Sequence, residues 1–149
     1  VARFKGGAKL TAALRELAEK VTKPGTLRVG FLEGATYLDT TPVAMIAAIQ
    51  NWGAPKANIP PRPFFSNMVR DKSPGWGKAV ETNLKDTGYD ATVALKRVGK
   101  GIAGQLRQSI LDTTTPPLKP ATVRRKGFDK PLEDTGHMLN RVNFEVKGD

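Results

Sequence analysis

The sequence predicts a single α+β domain over residues 1–149, with a small, mostly antiparallel sheet packed against a long helix. Two short segments, 26–33 and 140–147, alternate apolar and polar residues as half-buried strands do. Between them a run of more than twenty residues carries an apolar line at helical spacing. The 39% hydrophobic content is enough for one modest core, and 15 Gly with 11 Pro divide the chain into short pieces joined by stiff turns.

The elements follow in order. In 10–21, "LTAALRELAEKV", Leu10, Leu14, Leu17 and Val21 keep helical spacing while Arg15, Glu16, Glu19 and Lys20 take the wet side, so an amphipathic helix is expected. "KPG" at 23–25 stops it. In "TLRVGFLE", Leu27, Val29 and Phe31 share one face of a strand and Arg28 and Gly30 the other. Residues 41–53 predict a second helix, with Thr41 as N-cap, Pro42 at the first helical position and Gly53 as the stop. It is apolar over most of its circumference, and is expected to be buried against the sheet or against a neighbouring chain.

The run 54–66 is proline-rich. Each proline fixes its own φ and pushes its predecessor to an extended shape, so a stiff arm ending in Phe64 and Phe65 is expected. A helix then starts near Ser73-Pro74 and runs to about Lys85, and Gly88 separates it from the long helix, 89–111, about 35 Å at 1.5 Å per residue. Ala91, Leu95, Val98, Ile102, Leu106 and Ile110 form its apolar line. Gly99 interrupts that line, whereas Gly101 and Gly104 fall on roughly the opposite face. These glycines either admit a close neighbour or mark a weak, kinked helix. Residues 112–136 predict a basic loop region containing one short helical turn, before the closing strand.

Composition narrows the chemistry. Without cysteine there are no disulfides, thiol nucleophiles or cysteine-ligated zinc. No apolar stretch approaches the roughly 18 residues of a membrane span, and "VARFKGGAKL" lacks the apolar core of a signal peptide. No membrane partner is expected. His137 is the one histidine, and no G-x-S-x-G elbow precedes a serine. Glu133 and Asp134 are adjacent, so in extended chain they face apart. The 14 acids are scattered, and "GKGIAG" at 99–104 lacks the order of a phosphate loop. No active site, metal site or cofactor is expected.

The net charge of +10 points to an acidic partner or, more plainly, to solubility. Lys119, Arg124, Arg125, Lys126 and Lys130 oppose only Asp129 between Leu118 and Lys130. That density suits contact with phosphate or an acidic neighbour without reading sequence, or else forms a solvated helical face.

Two stretches together resemble a family. "NWGAPKANIPPRPFF" carries an aromatic-glycine pair, a short loop and an Ile-Pro-x-Arg-Pro-Phe core at Ile59, Pro60, Arg62, Pro63 and Phe64. "LKPATVRRKGFDKPLEDTGHMLNRVNFEV" carries Thr122 and Lys126, then Pro131, Leu132, Asp134, Thr135, Gly136, Met138 and Leu139, then a strand. Their order, with a helical segment between them, resembles the virion-morphogenesis or tail-completion (head–tail joining, neck) proteins of tailed bacteriophages, over roughly residues 26–147. Arg141-Val142 stand after Asn140 where a serine is common in that family.

The resemblance implies a structural, non-enzymatic virion protein at the neck or upper tail, present in host cytoplasm during assembly. It implies a homo-oligomeric ring, with six subunits expected from tail symmetry and a twelve-fold connector ring as the alternative, beside a tail terminator and connector. Genomic DNA would pass through the bore, with weak, transient, non-specific contact. In this setting Arg62, Pro63, Phe64, Phe65 and Trp52 are the expected interface, a pre-stiffened arm losing little entropy on docking. Lys119, Arg124, Arg125 and Lys126 would face DNA or an acidic partner. Asp134, Thr135 and Gly136 would form a turn into the last strand, Asp134 bonding the backbone two residues on and Gly136 taking positive φ. The alternative is a basic, sequence-nonspecific nucleic-acid-binding protein.

Overall fold

The computed structural model describes residues 7–22, 25–37, 39–127 and 136–148. Along the chain run α1 (Gly7–Thr22), β1 (Gly25–Phe31), α2 (Val43–Trp52), a 3-10 turn (Pro55–Ala57), α3 (Phe64–Asp86), α4 (Ala91–Asp112), α5 (Pro120–Lys126), α6 (His137–Asn140) and β2 (Val142–Gly148). The α+β architecture holds: one two-stranded antiparallel sheet packs on helices.

β1 and β2 pair in register from Gly25↔Gly148 to Phe31↔Val142. Directly opposed residues share a face, so Leu27/Val146, Val29/Phe144 and Phe31/Val142 line one side. α4 packs across both strands, and α3 packs along α4. Gly99 makes the α4–sheet contact close: a Cβ there would lie 2.6 Å from Phe144 Cδ2 and 2.7 Å from Leu27 Cδ1. Gly101 and Gly104 face open space.

Of the predicted apolar line of α4, Val98, Ile102, Leu106 and Ile110 are buried and Ala91 and Leu95 half-buried, while Ala94 and Ala103 join the buried side. Asp90 caps it, accepting the Val93 N–H at 3.0 Å. Val43, Phe64, Met68, Met138 and Val142 complete the core around Leu106 and Ile110. Trp76 Nε1 donates to Gln105 Oε1 at 2.9 Å, and Ser109 Oγ to the Phe64 carbonyl at 2.7 Å, tying α3 to α4 at two levels.

Two boundaries differ from expectation. α3 begins at Phe64, nine residues before Ser73, and Pro74 lies inside it. Proline deletes one helical hydrogen bond, but Met68, Val69 and Trp76 pack on the core from both sides of it and hold the helix continuous. α2 starts at Val43, with Pro42 in the capping position instead of Thr41, because the Val43 N–H donates to the Ala35 carbonyl at 2.9 Å.

Candidate interaction surfaces

The proline-rich run is folded against its own chain, which corrects the expectation of a free arm. Ala54 and Ile59 exchange backbone hydrogen bonds, and the Arg62 N–H donates to the Gln50 carbonyl at 2.7 Å. Gly53 permits this turn. Its φ is +77°, and a Cβ would come within 2.8 Å of the Ile59 carbonyl oxygen and 2.9 Å of Pro61 N.

Asn51 organises the end of the run from the last turn of α2. It is 2% exposed, and its Oδ1 accepts the N–H groups of Phe65 (3.0 Å) and Ser66 (3.1 Å). Its Nδ2 donates to Ser66 Oγ at 2.7 Å. Asn51 therefore caps the start of α3 from another element, satisfying donors that the helix itself leaves open. The sequence held the signal, an Asn-Trp-Gly before the run, but not the partner fourteen residues on.

The predicted interface residues separate. Phe64 is fully buried in its own core, so the expectation that it anchors into a neighbour is corrected: it opens α3 as part of the core cluster with Val43, Met68, Leu106 and Ile110. Arg62 is 4% exposed. Its Nε donates to the Pro116 carbonyl at 3.0 Å and a terminal nitrogen to Gln50 Oε1 at 3.2 Å. It clasps the 113–119 loop to α2 within its own chain, which corrects its expected place in an interface with a neighbour, and burial pushes its pKa below the ordinary guanidinium value.

Phe65 and Trp52 remain at the surface. Phe65 is half-buried and Trp52 is 70% exposed. Phe65 and Val29 line two apolar hollows that meet at them. One, about 270 Å³, lies between β1 and α2, bordered by Gly30, Phe31, Ala48 and Trp52. The other, about 380 Å³, is a furrow between β1 and α3 floored by α4, lined by Leu27, Trp76, Val80, Leu95 and Ile102 among others. Met45 is exposed on the same helix as Trp52, so α2 buries only one stripe, Val43, Ala47 and Asn51.

Cations form the second surface. Lys119 immediately precedes α5, and Lys119, Arg124 and Arg125 are exposed. Lys126 ends α5, and its side chain lies outside the described residues. Missed by sequence reasoning is α4 itself: from Ala91 to Leu111 it carries Lys96, Arg97, Lys100 and Arg107 and no acid. Arg107 donates to the Val142 carbonyl at 2.6 Å. Lys96, Arg97 and Lys100 are exposed beside the bare Gly101 and Gly104. Among the described residues none of these three makes an ion pair, whereas Lys78 and Lys85 on α3 share Glu81. The long acid-free stretch was the available signal.

Gly136 takes φ +69° before α6, as expected; Asp134 and Thr135 lie outside the described residues. His137 stacks on Tyr37, centroids 4.6 Å apart, and its Nε2 lies 3.1 Å from the Thr36 carbonyl, so it pins α6 to the 32–42 loop. Among the described residues no three His, Asp or Glu side chains gather as metal ligands, and no helix is long and apolar enough to cross a membrane. Compared with known proteins, the chain matches no family model, no curated protein and no solved structure.

Proposed function

We propose that this chain is a structural subunit of a tailed-phage virion, completing the tail or joining it to the head as part of a homo-oligomeric ring. The observation that carries the reading is the apolar face running from the β1–α3 furrow through Phe65 to Trp52, uncovered in a chain of net charge +10. An apolar furrow that leads through half-buried Phe65 to the exposed Trp52 suits the docking of a neighbour's side chains. The two motif stretches supply the family direction, and six subunits remain the expected ring. The tail terminator and connector are the proposed neighbours.

The exposed cations Lys96, Arg97 and Lys100 of α4 and Arg124 and Arg125 of α5 support weak attraction for a passing duplex, independent of base sequence. They equally favour a second reading, a free nucleic-acid-binding protein. Deleting the gene from the phage genome that carries it separates the two. The structural role predicts filled heads and tails that fail to join, and normal infectious particles would overturn it. Tight DNA binding by the isolated monomer, falling steeply with salt, would favour the second reading.

A further inference from the structure

α1 is a helix with its apolar side turned outward. Leu10 is 53% exposed, Leu14 56% and Leu17 37%. These three share one stripe at helical spacing. The rest of the helix from Gly7 to Lys20 is exposed as well, and Glu16, Glu19 and Lys20 border a shallow hollow with Asp90–Val93 at the start of α4. α1 packs against no other element to the extent that α3, α4 and the strands pack together. A sixteen-residue helix with three leucines in water is poorly stable alone.

The same chain carries an empty apolar furrow of matching form. Its α3 wall runs from Phe65 to Val80, about 22 Å at 1.5 Å per residue, against about 24 Å for the whole of α1. Leu27 and Val29 form the other wall and Val98 and Ile102 the floor. We infer that α1 of one copy lays its leucine stripe into the β1–α3 furrow of a second copy. Stripe and furrow are different patches, so the contact is heterologous, and repetition gives a ring where the rotation closes. A membrane surface fits less well. α1 carries Lys9, Arg15 and Lys20 against Glu16 and Glu19, and no aromatic residue, whereas interfacial helices combine a basic face with aromatic anchors.

The inference shares self-association with the proposed function but needs no virion. Because the chain lacks cysteine, introduced thiols are its only ones. Leu14→Cys and Val80→Cys are made in separate full-length chains, mixed and treated with a short bismaleimide. The expected product is a heterodimer, with Arg15→Cys, off the stripe, failing to link. Linkage of Leu14→Cys chains only to each other, or a bridge within one chain carrying both cysteines, overturns the inference, as does absence of any linkage. Independently, Leu10→Glu with Leu17→Glu should weaken self-association roughly ten-fold or more in sedimentation, with the unfolding midpoint of the α3–α4 core unchanged. Unaltered self-association overturns it. Virions that contain the chain without this crosslink would remove the inference and leave the proposed function standing.

Discussion

Three alanine substitutions on α4 test the packing that positions both surfaces. Gly99, Gly101 and Gly104 occupy one helix, so each change to alanine gains roughly the same helix propensity, up to about 1 kcal/mol. Their surroundings differ. At Gly101 and Gly104 the new methyl meets nothing within 4 Å, so both variants should be more stable by up to about 1 kcal/mol. At Gly99 the methyl would sit 2.6 Å from the Phe144 ring and 2.7 Å from Leu27. Carbon atoms rest at about 3.5–4.0 Å, so the Phe144 ring and the Leu27 side chain, or the strands that carry them, must give way by roughly 1 Å. Overpacking of this kind costs about 1–3 kcal/mol. Set against the propensity gain, Gly99→Ala should lose about 1 kcal/mol, leaving it about 2 kcal/mol below Gly104→Ala. Urea unfolding at fixed protein concentration, with unchanged slope, reads this difference. If Gly99→Ala proves as stable as Gly104→Ala, the close docking of the sheet on α4 is wrong.

Asn51→Ala removes the acceptor shared by two α3 N–H groups, and should cost about 1–2 kcal/mol in the same assay; a neutral result would deny the cross-element cap. The two aromatic types should part company. Phe64→Ala should destabilise the chain by about 3–5 kcal/mol, while Trp52→Ala should change stability by less than about 0.5 kcal/mol and weaken self-association in sedimentation. The reverse pattern would contradict their placement. Lys96→Glu with Lys100→Glu should leave the unfolding midpoint unaltered and lower retention on duplex DNA at low salt, reducing the log–log salt slope by about 2. Unchanged retention would take α4 out of any DNA contact.

How far the sequence could be read depends on the range of each interaction. α4 was legible because its apolar line repeats at helical spacing over several turns; its cap, Asp90, three residues from its partner, was not named, and the helix was expected to begin two residues early, at 89. The strands were legible from alternation, and their pairing followed from there being two of them. α3 was misplaced because proline rules are local: Pro63 and Pro74 look like breaks, yet Asn51 from α2 and Gln105 from α4 hold the helix on either side. For the same reason Arg62 looked available to a partner, since its acceptors, Gln50 and the Pro116 carbonyl, lie 12 and 54 residues away. In the site, Trp52 and Phe65 were named through the family resemblance; the furrow beside Phe65 was not, because it forms only where β1, α3 and α4 meet. α1 was legible as a helix, but not that its leucines face outward.

The central claim is that copies of this chain assemble through their uncovered apolar surfaces into a ring in the virion. A side-chain-resolution reconstruction of the head–tail junction in intact particles tests it most directly. The account predicts a closed ring of this chain in which the Phe65–Trp52 face is covered and α4 cations look toward the DNA path. Particles in which the junction contains no copy of the chain, or a ring whose subunits leave that face in solvent, would contradict it.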